Sequence, residues 1–98
     1  MDLFMFVPYE WPYCGGAIGI LSDTFENAVN FIVKKDRERC VKAKALGHVA
    51  MRSYKREYFA KSADNFKKDH WNQWLLISIF NVPKEKKTKI AFDNWNYG

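Results

Sequence analysis

The sequence predicts an α+β domain with a four-stranded, mainly antiparallel sheet and one or two helices packed on one of its faces. Three observations predict this. Two apolar segments flank a turn region near the N-terminus, a capped helical pattern follows, and two further apolar segments lie near the C-terminus. The order strand–strand–helix–helix–strand–strand separates helices from strands, as in α+β sandwiches. The chain has 98 residues, 48% of them hydrophobic, which is enough for one compact domain over residues 1–98.

The first pair of strands is predicted around a glycine turn. Residues 3–7 are a continuous apolar run that ends at Pro8, which cannot donate a hydrogen bond to a sheet. Gly15 and Gly16 allow the chain to turn back, and residues 17–21 form the return strand. Gly19 inside that strand indicates a β-bulge or a neighbour packed against the backbone. We therefore expect a hairpin with a long loop.

A helix follows the hairpin. Asp23 and Glu26 are spaced as in a capping box, so Asp23 is predicted to be the N-cap of the helix. Apolar residues continue at helical spacing to about Lys35, and the helix can extend to Leu46 before Gly47 stops it. Segment 48–55 is compatible with a loop or a short strand. A second helix is predicted from about residue 56 to residue 68.

The last strands are predicted as a second hairpin. Residues 75–82 are the most strand-like segment in the chain, with apolar residues on both faces, and Pro83 ends it. A charged turn over residues 84–87 leads to a final strand over residues 88–95. The pattern does not determine the order of the strands in the sheet.

The charge of the chain is concentrated in its middle. Segment 34–68 holds twelve of the sixteen Lys and Arg residues but only four of the eleven Asp and Glu residues, in a chain of net charge +5. Such asymmetry indicates a basic surface directed at an acidic partner. The alternative is a helical face that is only solvated, which would give the same distribution of charge in the sequence. The candidate binding residues of this basic ridge are Lys34, Lys35, Arg37, Arg39, Lys42, Lys44, Arg52, Lys55 and Arg56. Tyr54 and Tyr58 lie among them and could stack on bases.

A second candidate surface is aromatic. The loop of the first hairpin and the C-terminus both place Trp and Tyr among polar and acidic residues, a composition typical of protein-binding hot spots or of a small-ligand pocket. The candidate residues of this aromatic patch are Tyr9, Trp11, Tyr13, Trp95 and Tyr97. The alternative is that these rings cover the core, as large aromatic residues usually do.

No motif in the chain indicates a reaction. Cys14 is the candidate nucleophile, but nothing places His48 or His70 near its thiol as a base. Cys14, Cys40 and the two histidines are too scattered for a structural zinc site, which brings its ligands in close pairs. The glycine-rich run 15–19 precedes a strand and lacks the Lys-Ser/Thr of a phosphate loop. We therefore expect a protein without catalytic residues, metal or cofactor, with a Cys-dependent enzyme as an alternative.

The sequence also indicates the cellular compartment of the protein. Asp2 stands where a secretory leader would carry positive charge, and two cysteines do not make a disulfide framework. The longest apolar run, residues 74–80, is too short to cross a bilayer. We expect a cytoplasmic protein with reduced thiols and no membrane attachment.

These features predict a function of binding. A small domain with many aromatic residues, polarised charge and no catalytic motif suits a stoichiometric inhibitor or adaptor that docks on a protein partner, such as a nucleic-acid-processing complex. In size and composition, though in no motif, the chain resembles the small inhibitors that viruses and mobile elements encode, including anti-CRISPR proteins. Direct, sequence-nonspecific binding of nucleic acid through segment 34–68 is the alternative. An exposed sheet edge would also allow a homodimer.

Overall fold

The main sheet runs through the centre of the molecule. A computed structural model of the chain describes residues 1–9, 14–49, 53–65, 73–94 and 96–97, the backbone alone for residues 14, 96 and 97. The regular elements are β1 (Asp2–Pro8), β2 (Cys14–Gly15), β3 (Ile18–Ser22), α1 (Phe25–Ala45), β4 (Phe59–Ala60), β5 (Trp74–Asn81), β6 (Lys89–Asp93) and β7 (Asn96–Tyr97). Within these residues, five strands form a sheet in the order β4-β5-β1-β3-β6, and β2 pairs with β7 in a separate two-stranded sheet. The predicted α+β class is confirmed, but the main sheet has five strands where four were predicted, because the short β4 adds to its edge.

The first predicted hairpin is confirmed. β1 and β3 are adjacent and antiparallel, with Leu3 opposite Leu21 and Met5 opposite Gly19. β5 pairs antiparallel with the other side of β1, and β6 pairs antiparallel with the other side of β3. The sheet is therefore mainly antiparallel, as predicted, with β4 as one parallel strand beside β5.

The second predicted hairpin is wrong. β5 and β6 lie on opposite sides of the β1–β3 pair, so the connection between them crosses the ends of two strands. Seven connecting residues, 82–88, have ample reach for this crossing, at about 3.3 Å for each extended residue. The N-terminal ammonium group of Met1 donates to the carbonyl oxygens of Val82 (3.1 Å) and Glu85 (3.2 Å), which holds the connection against the start of β1.

The long helix follows the extended form of its prediction, but it begins one residue later than predicted. Thr24 is the N-cap, and its hydroxyl accepts a hydrogen bond from the backbone N–H of Asn27 at 3.1 Å. Asp23 instead accepts from the Asn27 side chain at 2.8 Å. At the C-terminal end, Gly47 has a φ of 74°, and the N–H of His48 donates to the carbonyl of Ala43 at 2.8 Å. This is a Schellman motif, in which glycine supplies the left-handed conformation that ends the helix.

The second predicted helix does not form over residues 56–65. The chain instead makes two short 3₁₀ turns, Arg56–Tyr58 and Ala63–Asn65, on either side of β4. Phe59 and Ala60 are consecutive and both buried, which a strand beside Trp74 and Leu75 allows. Tertiary pairing therefore overrides the helical spacing of the apolar residues. The rest of the predicted helix, residues 66–68, lies outside the described residues.

The core lies between α1 and one face of the sheet. Phe4 and Phe6 of β1 and Ile18 and Ile20 of β3 alternate along their strands, so they share a face. They pack against the buried residues Ala28, Val29 and Ile32 of α1. Three aromatic residues close one end of this core, namely Tyr54, Phe59 and Trp74. The Phe6 and Phe59 rings meet edge to face, with centroids 5.2 Å apart.

Of the two alternatives for Gly19, the closely packed neighbour is confirmed. The register between β3 and β6 does shift beside Gly19, but the extra residue is Ala91 of β6, so the irregularity lies in the partner strand. The Phe92 ring also covers the glycine so closely that a Cβ at position 19 would lie 2.3 Å from Phe92 Cε1. Only a residue without a side chain allows this approach.

Candidate functional site

The helix α1 carries six of the nine residues predicted for the basic ridge. They do not form a single ridge, because helical spacing distributes them over two sides of α1. Lys35, Arg39 and Lys42 recur at intervals of four and three residues and share one flank, whereas Arg37 and Lys44 are seven apart and share the other. Lys34, Lys55 and Arg56 are exposed, and Arg52 lies outside the described residues.

The first flank is largely neutralised by neighbouring acids. Arg39 binds Asp36 through its Nη2 atom at 2.6 Å, and Lys35 lies 3.5 Å from Glu38. The hydrogen bond from Arg39 to Asp36 raises the pKa of the guanidinium above its usual value. This flank therefore offers less free positive charge than its residue types suggest.

Asp36 is the structural centre of the region. It is buried in the middle of a basic segment, with only 6% of its surface exposed. Its carboxylate accepts hydrogen bonds from Arg39 and, at 2.7 Å, from the backbone N–H of Tyr54. The Tyr54 hydroxyl in turn donates to Asp93 of β6 at 2.8 Å. This chain of contacts joins α1, the segment after it and the sheet.

A groove of about 380 Å³ lies between the second flank of α1 and the segment that Asp36 holds in place. The helix contributes Arg37 and Cys40 to its lining, and the facing wall contributes Ser53, Lys55, Arg56 and Glu57. We name these six residues the basic groove. Cys40 is a free thiol at its inner wall. A smaller pocket of about 110 Å³, next to Lys35 and Arg39, lies on the other side of Asp36 and Tyr54.

The cations of the basic groove are positioned without being neutralised. Arg56 donates from Nη1 to the side-chain oxygen of Asn30, a neutral acceptor. The Lys55 ammonium lies 5.9 Å from the centre of the Tyr58 ring, a cation–π contact that leaves its charge intact. Within the described parts of the chain, Arg37, Lys55 and Arg56 form no ion pair. Two acids also line the groove, Asp36 and Glu57. Asp36 is paired with Arg39, so the three cations are opposed by Glu57 and the balance there stays positive.

The tyrosines proposed to stack on bases do not present free faces. Tyr54 is 8% exposed and belongs to the core, with its ring centroid 6.1 Å from those of both Phe59 and Trp74. Tyr58 is half-buried and contacts the core from outside. The expectation that Tyr54 could stack on a base is therefore wrong, because the core needs its ring.

The predicted aromatic patch is described only in part. Cys14 pairs with Tyr97 and Gly15 with Asn96, so the hairpin loop and the C-terminus do adjoin, as expected. Tyr9 is 36% exposed, and its backbone N–H donates to Gln73 at 3.2 Å. Trp11, Tyr13 and Trp95 lie outside the described residues, as does the side chain of Tyr97. A shared patch of these rings stays a prediction.

The candidate catalytic and metal residues are not brought together in the described part of the structure. His48 is exposed just beyond the end of α1, while His70 and the side chain of Cys14 fall outside the description. Among the residues described, no three His, Cys, Asp or Glu side chains are close enough to hold a metal ion. The same residues include no helix of the length and apolarity needed to cross a bilayer.

Three residues of this region were missed from the sequence, namely Asp36, Ser53 and Glu57. Asp36 did leave a signal, because it follows the core residue Ile32 by four positions and therefore shares its helix face. An acid on the apolar face of a basic helix indicates a buried polar contact. Ser53 and Glu57 carry no comparable signal, because their place depends on the path of a loop.

Known proteins add no further identification. Comparisons of the chain with protein-family models, with curated proteins and with solved structures find no match.

Proposed function

We propose that this is a small non-enzymatic binding protein, an inhibitor or adaptor that docks through the basic groove on an acidic surface of a protein partner. A nucleic-acid-processing complex is the kind of partner that fits, because such complexes combine acidic protein surfaces with sites for phosphate. The observation that supports the proposal best is the set of three cations around one groove, Arg37, Lys55 and Arg56, which form no ion pair with any described residue.

The form of the groove favours a protein side chain as its ligand. Charged groups that are held in place lose little conformational freedom on binding, and Arg56 and Lys55 are held by Asn30 and Tyr58. The two guanidinium groups can each bind a carboxylate with two parallel hydrogen bonds. Glu57 at the rim would repel a chain of phosphates but can pair with a basic residue of a protein.

Direct nucleic-acid binding has less support. A strand of nucleic acid is bound best by a continuous positive track with exposed aromatic faces. Here the basic residues of α1 are divided between two flanks, Lys35 and Arg39 are engaged by acids, and Tyr54 is buried. The same cations would still attract phosphate at low salt, so the two functions are separated by experiment.

The test compares three forms of the protein as bait in native cell extract treated with nuclease. One is the wild type, one carries Arg37→Glu, Lys55→Glu and Arg56→Glu, and the control carries Lys84→Glu, Lys86→Glu and Lys87→Glu on the distant 82–88 connection. The two variants change the net charge equally. We expect wild type and control to capture one protein in stoichiometric amount, and the groove variant to lose about 10- to 100-fold in affinity for it, from three contacts of about 0.5–1 kcal/mol each.

Two results would contradict the proposal. In the first, the groove variant and the control variant lose the same affinity for the captured protein, which would show that net charge alone attracts it. The other is tight binding of labelled duplex DNA or single-stranded RNA at physiological salt, measured by fluorescence anisotropy and abolished in the groove variant. That second result would favour the nucleic-acid alternative.

A further inference from the structure

Strand β5 has an open edge over most of its length. On one side β5 is paired with β1 from Trp74 to Asn81. On the other side β4 pairs only with Trp74 and Leu75. Among the described residues, positions 76–81 therefore have backbone hydrogen-bonding groups facing away from β1 without a neighbouring strand.

The side chains along this edge are apolar and accessible. Ile77, Ile79 and Phe80 are 49%, 51% and 50% exposed, among the most exposed large apolar residues of the described structure. β5 contains no charged residue and no proline, the two residue types that most often protect a free edge. One protective feature is present, a bulge at Ile77, where the register with β1 shifts. Regular strand therefore remains over residues 78–81.

We propose that this edge of β5 pairs antiparallel with the same edge of a second copy of the chain. The proposal does not depend on the function of the basic groove. A second copy fits because the edge is uncharged in a protein of net charge +5. An acidic or basic partner would therefore gain no electrostatic attraction from this edge. Self-pairing instead sets apolar residues against apolar residues, and a two-fold contact requires only that one surface complement itself.

The geometry of the strand fits such a pair. Two identical antiparallel strands are related by a two-fold axis perpendicular to the sheet. The axis passes between one residue and the same residue of the other copy, and residues that are directly opposed lie on the same face of the sheet. Placed at Ile79, the axis sets Ile79 opposite its copy and Ser78 opposite Phe80. Ser78 and Phe80 both lie on the face of the sheet away from α1, as their partners Met5 and Leu3 do. Pro83 ends the pairing before it reaches β4, since proline has no N–H to donate.

The pairing has a consequence for the whole assembly. A two-fold axis perpendicular to the sheet leaves both copies of α1 on the same side of one continuous sheet. The two basic grooves, each beside its own α1, then lie on that same side of the sheet, so the dimer is bivalent. The contact itself is short, about 13 Å for the four regular residues, and belongs with small interfaces of micromolar affinity.

The test is sedimentation equilibrium of the full chain over a range of protein concentrations. Wild type is expected to pass from monomer to dimer in the micromolar range, and Ile79→Lys to remain monomeric throughout, because two ammonium groups would meet at the axis. The control is Val41→Lys, which makes the same charge change at a residue of α1 that is 66% exposed. It should dimerise like wild type.

Hydrogen exchange provides a measurement that needs no variant. In the wild type, amides of residues 78–81 that face away from β1 should gain protection as concentration rises, while those that face β1 are protected at every concentration. A wild type that stays monomeric at several hundred micromolar would overturn the proposal. So would a dimer that Ile79→Lys leaves intact, or one that Val41→Lys disrupts to the same extent.

Discussion

The carboxylate of Asp36 accepts a hydrogen bond from the backbone N–H of Tyr54 at 2.7 Å, and both groups are buried. This contact joins two segments that are 18 residues apart. It holds the far wall of the basic groove at a fixed distance from α1. A buried carboxylate is costly without partners, and here Arg39 and the Tyr54 amide supply them.

Removal of the Asp36 side chain should therefore destabilise the protein. Asp36→Ala leaves the buried Tyr54 N–H without an acceptor, and we expect the free energy of unfolding to fall by about 2–3 kcal/mol. Asp36→Asn keeps an acceptor oxygen and should cost about 1 kcal/mol less. Urea denaturation measures both, with the exposed residue Asp64→Ala as control. Equal stability of Asp36→Ala and Asp64→Ala would mean that the contact contributes nothing.

The start of α1 should depend on the hydroxyl of Thr24. Thr24→Ala removes the acceptor for the Asn27 N–H, and we expect a loss of about 1 kcal/mol in the free energy of unfolding. Thr24→Ser keeps the hydroxyl and should restore most of that loss. If Thr24→Ser is as unstable as Thr24→Ala, the hydrogen bond is not what stabilises this end of the helix.

Asp23 should make the stability of the protein depend on pH. Its hydrogen bond with the Asn27 side chain holds the pKa of this carboxyl below its ordinary value of 3.8, although burial opposes the shift. A pKa that is lower in the folded state contributes stability above pH 3.8, and this contribution is lost as pH falls through the folded value. Asp23→Asn should therefore be less stable than wild type at pH 7, and the difference should shrink as pH falls below 3.8. Urea denaturation at pH 7 and near pH 2 measures the difference, and a difference that does not shrink would contradict this cause.

Gly19 should tolerate no side chain while Phe92 is present. In Gly19→Ala the new Cβ meets the Phe92 ring, and we expect a loss of about 1–3 kcal/mol in the free energy of unfolding. The same change in a Phe92→Leu background should cost less, because the smaller side chain can move away. A double-mutant cycle by thermal or urea denaturation measures this coupling, and costs that simply add would show that the two residues do not interact.

Much of the secondary structure could be predicted because its signals are local. Pro8 and Pro83 end strands since they lack an N–H, and Gly47 ends α1 because it adopts a positive φ. Gly19 indicated a closely packed neighbour before that neighbour, Phe92, was known. The cap was misplaced by one residue because Asp23 and Thr24 are both good N-cap residues, and only the geometry of the Asn27 amide distinguishes them.

The candidate site was predicted less completely. The basic residues could be chosen by charge alone, and helical periodicity already divides Lys35 from Arg37. What periodicity could not show is that Asp36 and Glu38 engage two of these cations, or that Lys55 and Arg56 return to face Arg37. Those contacts depend on the path of residues 53–58, for which the sequence left a loop or a short strand open up to residue 55 and predicted a helix from residue 56.

The sequence by itself determined the α+β class, the hairpin of β1 and β3, the presence of α1 with Gly47 as its stop, and the concentration of positive charge in the middle of the chain. Each of these follows from contacts within a few residues or from composition. Only the tertiary structure decided that β5 and β6 lie apart, that residues 59–60 form a strand, and that three of the basic residues, Arg37, Lys55 and Arg56, line one groove. These outcomes depend on contacts between residues far apart in the chain, such as Asp36 with Tyr54 and Phe59 with Trp74, whose energies no local pattern encodes.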